Sequence, residues 1–179
     1  MSFFGDLFKK PKTDAVFEIK SPNGRVSAKF ILDHGQIAYF VEKDEKPILR
    51  KSRLGIMLKD STPLADGFAV VRAYSRSFDD TWRAQWGEQH VIRNNYNETA
   101  IYLEEVEKPS RLLTIRFRAY DDGIAFRYEV PAQPEMERMI ISDELTEFSV
   151  DTNSRSWSIC IICNRCSLPI FYQTPIRTK

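Results

Sequence analysis

The 179-residue sequence has no run approaching the roughly 20 apolar residues that cross a bilayer, so no membrane span is expected. Its first residues lack the basic start, apolar segment and small-residue cleavage site of a secretory signal, which places the chain as written in the cytoplasm. Neither sign of charge dominates. Twenty-six lysines and arginines stand evenly among 25 acids, for a formal charge of +1, and the basic face that phosphate backbones require is missing. Nucleic acid is therefore excluded as an expected partner. Only two histidines occur, His34 and His90, and neither stands in a motif that supports a Ser, His and Asp set. Cysteine is absent from the first 159 residues, whereas Cys160, Cys163 and Cys166 crowd into seven, a shift in character that suggests a different origin for the tail.

What is present is ordinary material for one globular core. Hydrophobic residues make up 42% and charged residues 28%, and twelve phenylalanines with seven tyrosines supply large side chains. The opening MSFFGDLFKK sets Phe3, Phe4, Leu7 and Phe8 near helical spacing, as in a short interfacial anchor, but residues 1–14 read more simply as a disordered leader. From Ala15 onward the pattern has period two. Val26, Ala28, Phe30 and Leu32 alternate with Arg25, Ser27, Lys29 and Ile31 after a Pro22-Asn23-Gly24 turn, and Asp33-His34-Gly35 reverses the chain into Ile37, Tyr39 and Val41. Short strands are predicted over 48–51, 55–59 and 68–73. Later, Leu113, Ile115, Phe117 and Ala119 form one face of a strand that Asp121-Asp122-Gly123 turns into Ile124, Phe126, Tyr128 and Val130. Two more short strands are predicted over 139–142 and 145–150. With no convincing internal helix, the fold class is all-β, an antiparallel sandwich or barrel.

Within this frame, Ser77 to Glu98 stands out. Trp82 and Trp86 sit among Asp79, Asp80, Glu88, Arg93, Asn95 and Asn97, a mixture suited to sugar hydroxyls or to another domain, because rings cover C–H faces while amides and carboxylates exchange hydrogen bonds. Four residues apart, the two indoles are expected to share a strand face. Arg116, Arg118 and Arg127 are expected to pair across strands with Glu129 and its neighbours.

Several blocks in order carry a resemblance: Asp80-Thr81-Trp82, Trp86-Gly87-Glu88, Ile92-Arg93-Asn94, Tyr96-Asn97-Glu98, Tyr120-Asp121-Asp122-Gly123, Phe126-Arg127-Tyr128 and Asp143-Glu144-Leu145-Thr146-Glu147-Phe148. Together with Ser21 to Gly24 and Ser52 to Gly55, they make the chain resemble the N-terminal domain of glycoside hydrolase family 97, over about Val16 to Trp157. The resemblance implies an antiparallel β-super-sandwich, galactose mutarotase-like, over residues 15–157. It also implies a catalytic (β/α)₈ barrel as partner, holding the catalytic carboxylates, and a small C-terminal β-domain. The relatives so implied are periplasmic or secreted, calcium-dependent α-glucosidases or α-galactosidases, inverting or retaining, that act on α-linked oligosaccharides. The chain alone is then expected to hydrolyse nothing, and Asp80, Glu88 and Glu98 to be hydrogen-bonding groups of loops and interfaces. Trp82, Trp86, Glu88, Arg93 and Asn97 become the carbohydrate-binding or domain-interface residues, with two readings of the indoles open: packing on the barrel and stacking on a sugar ring. A stand-alone carbohydrate-binding module and an inactive gene-fragment product are the alternatives.

The resemblance also implies a carboxylate lent to calcium from just beyond Asp143 to Phe148. There the sequence departs, turning to Ser158-Ile159-Cys160 with no acid after Asp151, so no calcium ligand and no cofactor are expected in this chain. Residues 158–179 read as a tail outside the family, as a frameshift would produce. Its CxxCxxC spacing suits a cluster or zinc only in part, because a fourth ligand at suitable spacing is missing.

Overall fold

The computed structural model describes residues 12–87, 90–134, 136 and 138–150, and the backbone of 158–159 and 171–172. Among the described residues there are twelve strands: β1 (Ala15–Lys20), β2 (Val26–Asp33), β3 (Gln36–Lys43), β4 (Lys46–Arg53), β5 (Ile56–Leu58), β6 (Phe68–Arg83), β7 (Val91–Glu105), β8 (Leu112–Ala119), β9 (Ile124–Glu129), β10 (Ile141–Glu144), β11 (Ser158–Ile159) and β12 (Phe171–Tyr172). β1 to β4 form one meander in sequence order and β6 to β9 a second. β5 pairs with β10 and β11 with β12, and every strand pairing is antiparallel. Among the described residues there is no helix.

The period-two sequence dictates how the two meanders meet. Ala28, Phe30 and Leu32 of β2 and Ile37 and Tyr39 of β3 project from one sheet, and Ile101, Leu103, Leu113, Ile115, Phe117 and Ala119 project from the other into one core. Phe117 joins the layers: its ring centroid lies 6.3 Å from both Phe30 and Tyr39 and 5.4 Å from Phe126. This is an antiparallel β-sandwich, as the alternation predicts.

The turns follow the sequence signals. Gly24 adopts φ +74° between β1 and β2, and Tyr120 and Gly123 close the β8–β9 turn with Tyr120 N donating to Gly123 O at 2.8 Å. Between β2 and β3, His34 (φ 48°) and Gly35 (φ 82°) make a two-residue turn with both residues left-handed, the twist that hairpins favour. A Cβ at Gly35 would lie 3.2 Å from the backbone of Gly67 and Phe68. Phe68 N also donates to Gly35 O at 3.1 Å, fastening the turn to the start of β6. We expect Gly35→Ala to destabilise the chain by more than the roughly 1–2 kcal/mol of the left-handed conformation alone, read by urea unfolding.

Four features depart from expectation. The strand predicted over 68–73 runs on to Arg83, and β7 is fifteen residues long, although its IRNNYNET start shows no clean alternation. Long-range pairing holds these polar residues in line, since Ser77 and Asn97, then Asp79 and Asn95, face each other across the hairpin. The segment predicted as a strand over 139–142 forms β10 slightly later. The one predicted over 145–150 runs beside β4 and β5, with Leu145 N donating to Gly55 O and Arg50 N to Ser149 O, but builds no regular ladder.

Candidate functional site

β6 and β7 continue past the end of β8. The β7–β8 ladder stops at the Asn97 and Ala119 pair, whereas the β6–β7 ladder runs on to Arg83 and Val91, so its last residues project as a two-stranded ribbon. Trp82 is on this ribbon and 52% exposed, and Trp86 lies past its end, 88% exposed. The indoles do not share a strand face, because β6 ends at Arg83 and the backbone turns through Gly87 at φ +112°. The remaining expected residues are divided by the pleat. Residues opposite each other in the ladder share a face, so Trp82 goes with Ile92, and Arg93 with Thr81 on the reverse side. Arg93 grips Asp79 with two bonds of 2.8 and 2.6 Å. Asn97 accepts from Ser77 Oγ at 2.6 Å and donates to the Lys20 carbonyl at 2.8 Å, tying the hairpin to β1. Glu88 lies outside the described residues, as do Trp157, the three cysteines and the leader phenylalanines.

Sequence reasoning missed the centre of the outer face. Glu98, on β7, is only 1% exposed and accepts from Arg76 Nε (2.8 Å), Arg116 Nη1 (2.8 Å) and Arg118 Nε (2.7 Å). It is a mid-strand hub, not a loop acid. Arg116 also bonds both oxygens of Glu129, the cross-strand pairing that the alternating arginines predict, whereas Arg127 Nε reaches the same carboxylate at 2.7 Å along its own strand. Aromatic rings flank this cluster. Phe78 stacks on Tyr96 at 5.2 Å, Tyr120 lies 5.2 Å from Tyr96 on another side, and the Arg118 guanidinium sits 4.4 Å from the Tyr96 ring centre. The signal was available in part: Arg76, Glu98, Arg116 and Arg118 all fall on the even-numbered face once the register is known.

Burial by itself would raise the Glu98 carboxyl, but the hydrogen bonds from Arg118, Arg76 and Arg116 together outweigh it and hold the group down at about 2. Glu129 is lowered as well, first by its bond to Arg116. Carboxylates held this firmly in the ionised state suit ion pairing, not proton donation to a leaving group.

The fit to calcium is poor. Asp14, Asp33 and His34 are the one described group close enough to share an ion, but Asp14 accepts the His34 amide at 2.9 Å and Asp33 is paired with Lys51 at 2.7 Å. Two engaged carboxylates and an imidazole do not provide the six to eight oxygens calcium takes. A separate cleft of about 280 Å³, lined by Tyr39, Val41, Leu49, Ile124, Phe126 and Phe148 among others, is mainly apolar and offers little for sugar hydroxyls. No helix among the described residues is long and apolar enough to cross a membrane.

Comparison with known proteins places this geometry. Superposition on a glycoside hydrolase family 97 enzyme in complex with acarbose, from Pseudoalteromonas sp. strain K8, gives a TM-score of 0.76 at 25% identity, covering 88% of this chain and 24% of that one. A substituted family 97 enzyme from the same organism, in complex with panose, gives 0.74 at 26% identity, covering 79% and 22%. A β-arabinopyranosidase shares the fold, with a TM-score of 0.71 at 20% identity over 80% of this chain and 22% of that one. The chain thus spans less than a quarter of the length of these solved enzymes. The family described as Glycosyl-hydrolase 97 N-terminal matches residues 19–172, and the chain belongs to that family.

Proposed function

We propose that this chain is a non-catalytic, carbohydrate-facing domain of a family 97 glycoside hydrolase, with residues 15–157 as its sandwich and the acid chemistry supplied by a (β/α)₈ barrel. The observation that carries the reading is the ribbon of β6 and β7, which extends beyond the supported sheet, exposes Trp82 on the face that also carries Asn94 and Asp80, and leads to the exposed Trp86 past its end. An indole open to solvent offers a flat apolar face to the C–H side of a pyranose ring, and the Asn94 amide and Asp80 carboxylate on the Trp82 face offer bonds to its hydroxyls. The bound states of the Pseudoalteromonas enzymes, with acarbose and panose, make α-linked oligosaccharides the ligand class to try first.

Calcium, if the whole enzyme uses it, draws its ligands from elsewhere in that enzyme. Asp33, Asp79, Glu98 and Glu129 are taken up by lysine or arginine, and among the described residues the other acids form no group of three close enough to share an ion beyond Asp14, Asp33 and His34.

The test is a panose titration followed by tryptophan fluorescence. We expect a saturable change for the wild type, and binding weaker by roughly 2- to 13-fold in Trp86→Ala, corresponding to about 0.5–1.5 kcal/mol for a lost ring contact. An unchanged wild-type spectrum at high panose contradicts the reading.

A further inference from the structure

β6 is an edge strand, at the end of the β6-β7-β8-β9 order, and every residue from Val71 to Arg83 is exposed. Among the described residues its outer rim is covered only at the start, where Val70 N donates to Lys12 O at 3.0 Å. The ladder fixes which backbone groups remain open. Ala84 N donates to His90 O, in continuation of the Arg83 and Val91 register, so even-numbered residues after the bulge at Val70/Arg72 direct their N–H and C=O toward β7. Ala73, Ser75, Ser77, Asp79, Thr81 and Arg83 direct theirs outward. Among the described residues nothing receives them. A long, flat rim of this kind is a template for another strand.

We propose that this rim pairs antiparallel with the same rim of a second copy of the chain, about a two-fold axis through Phe78. The side chains select that register. It sets Arg76 of each copy opposite Asp80 of the other, Tyr74 opposite Trp82, and Phe78 opposite its own counterpart. All of these fall at non-hydrogen-bonded sites, where side chains across a ladder are closest. Ser75 meets Thr81 and Ser77 meets Asp79 in the hydrogen-bonded pairs. Neighbouring registers are worse: an axis through Asp79 opposes two aspartates, one through Arg76 opposes two arginines, and one through Ser77 sets Arg76 against Phe78. The required groups are available. Among the described residues Asp80 accepts only the Thr81 amide, and Arg76 uses Nε for Glu98, leaving its terminal nitrogens for the second copy. Tyr74 is 59% exposed, giving Trp82 of the other copy a ring to cover. Trp86 lies beyond the paired stretch and keeps its solvent face.

Sedimentation velocity of the full chain between about 1 and 100 µM reads the pairing, with a reversible dimer expected. Ser77→Pro removes an outward N–H that has no partner among the described residues, and should weaken the dimer roughly 100-fold or more while the near-ultraviolet circular dichroism is kept. A second variant keeps the test independent of that substitution. With serine at Cys160, Cys163 and Cys166, Phe78→Cys should oxidise to a cross-linked dimer, because the axis brings the two positions together, and Thr81→Cys should not. A monomer throughout the range overturns the proposal, including one whose β6 amides resist hydrogen exchange because another strand of the same chain covers them. A dimer that survives Ser77→Pro and gives no Phe78→Cys cross-link overturns it equally.

Discussion

Glu98→Gln should lower stability by about 3 kcal/mol, because the amide leaves Arg76, Arg116 and Arg118 converging on a neutral group. The estimate sits at the lower end for a broken buried ion pair, since Arg76 is 47% exposed and water can take over part of its solvation. For a chain of this length the melting temperature should fall by roughly 6–12 °C. Arg76→Gln, which leaves two arginines on the carboxylate, should cost no more than about 1 kcal/mol. Acid reports the same linkage. The folded-state value of Glu98, about 2, lies below its ordinary 4.5, so its contribution is fully present above about pH 4.5 and is lost as the pH falls through about 2. Urea unfolding between pH 5 and pH 2 should show wild-type stability declining across that window by up to about 3 kcal/mol more than in Glu98→Gln. Equal slopes for the two proteins would dismiss the hub as a source of stability.

The second large effect is expected at Arg111, which is 1% exposed and among the largest fully buried side chains of the core region. Its guanidinium joins the end of β7 to the loop after β5: Nε donates to Glu105 at 2.7 Å, Nη1 to Ser61 Oγ and Thr62 O at 2.9 Å each, and Nη2 to Thr62 Oγ1 at 2.8 Å. Arg111→Met strands the Glu105 carboxylate, 10% exposed, together with two loop hydroxyls, and should destabilise by about 3–5 kcal/mol in urea unfolding. Arg111→Lys should recover little, since one ammonium cannot reproduce a fork that spans both segments. Adding Glu105→Gln to Arg111→Met should return part of the loss by removing the unpaired charge. A double variant less stable than Arg111→Met would show that Glu105 has other support.

How far the sequence revealed the fold depended on whether a side chain's role was local. Val26 to Leu32 and Leu113 to Ala119 bury every second residue, and period two is readable in a single strand, so the sandwich was legible. Gly24, Gly35 and Gly123 mark turns for the same local reason. β7 was hidden because Asn95, Asn97 and Glu98 look like loop residues until their partners on β6, β1 and β8 are known. Glu98 illustrates the limit best: its burial comes from arginines 22, 18 and 20 positions away. The candidate site divided for a similar reason. Trp82, Arg93 and Asn97 are close in sequence, but the pleat places the indole on the face opposite to the other two, and only the register shows this.

Saturation-transfer NMR of the isolated chain with panose tests the central claim most directly, because one sample reports both contact and turnover. We expect saturation to pass from protein to sugar protons, to diminish in Trp86→Ala, and to leave the anomeric signals of panose unchanged over days. New anomeric signals growing in proportion to the concentration of this polypeptide would contradict a non-catalytic role, and an absence of transfer would contradict a carbohydrate-facing one.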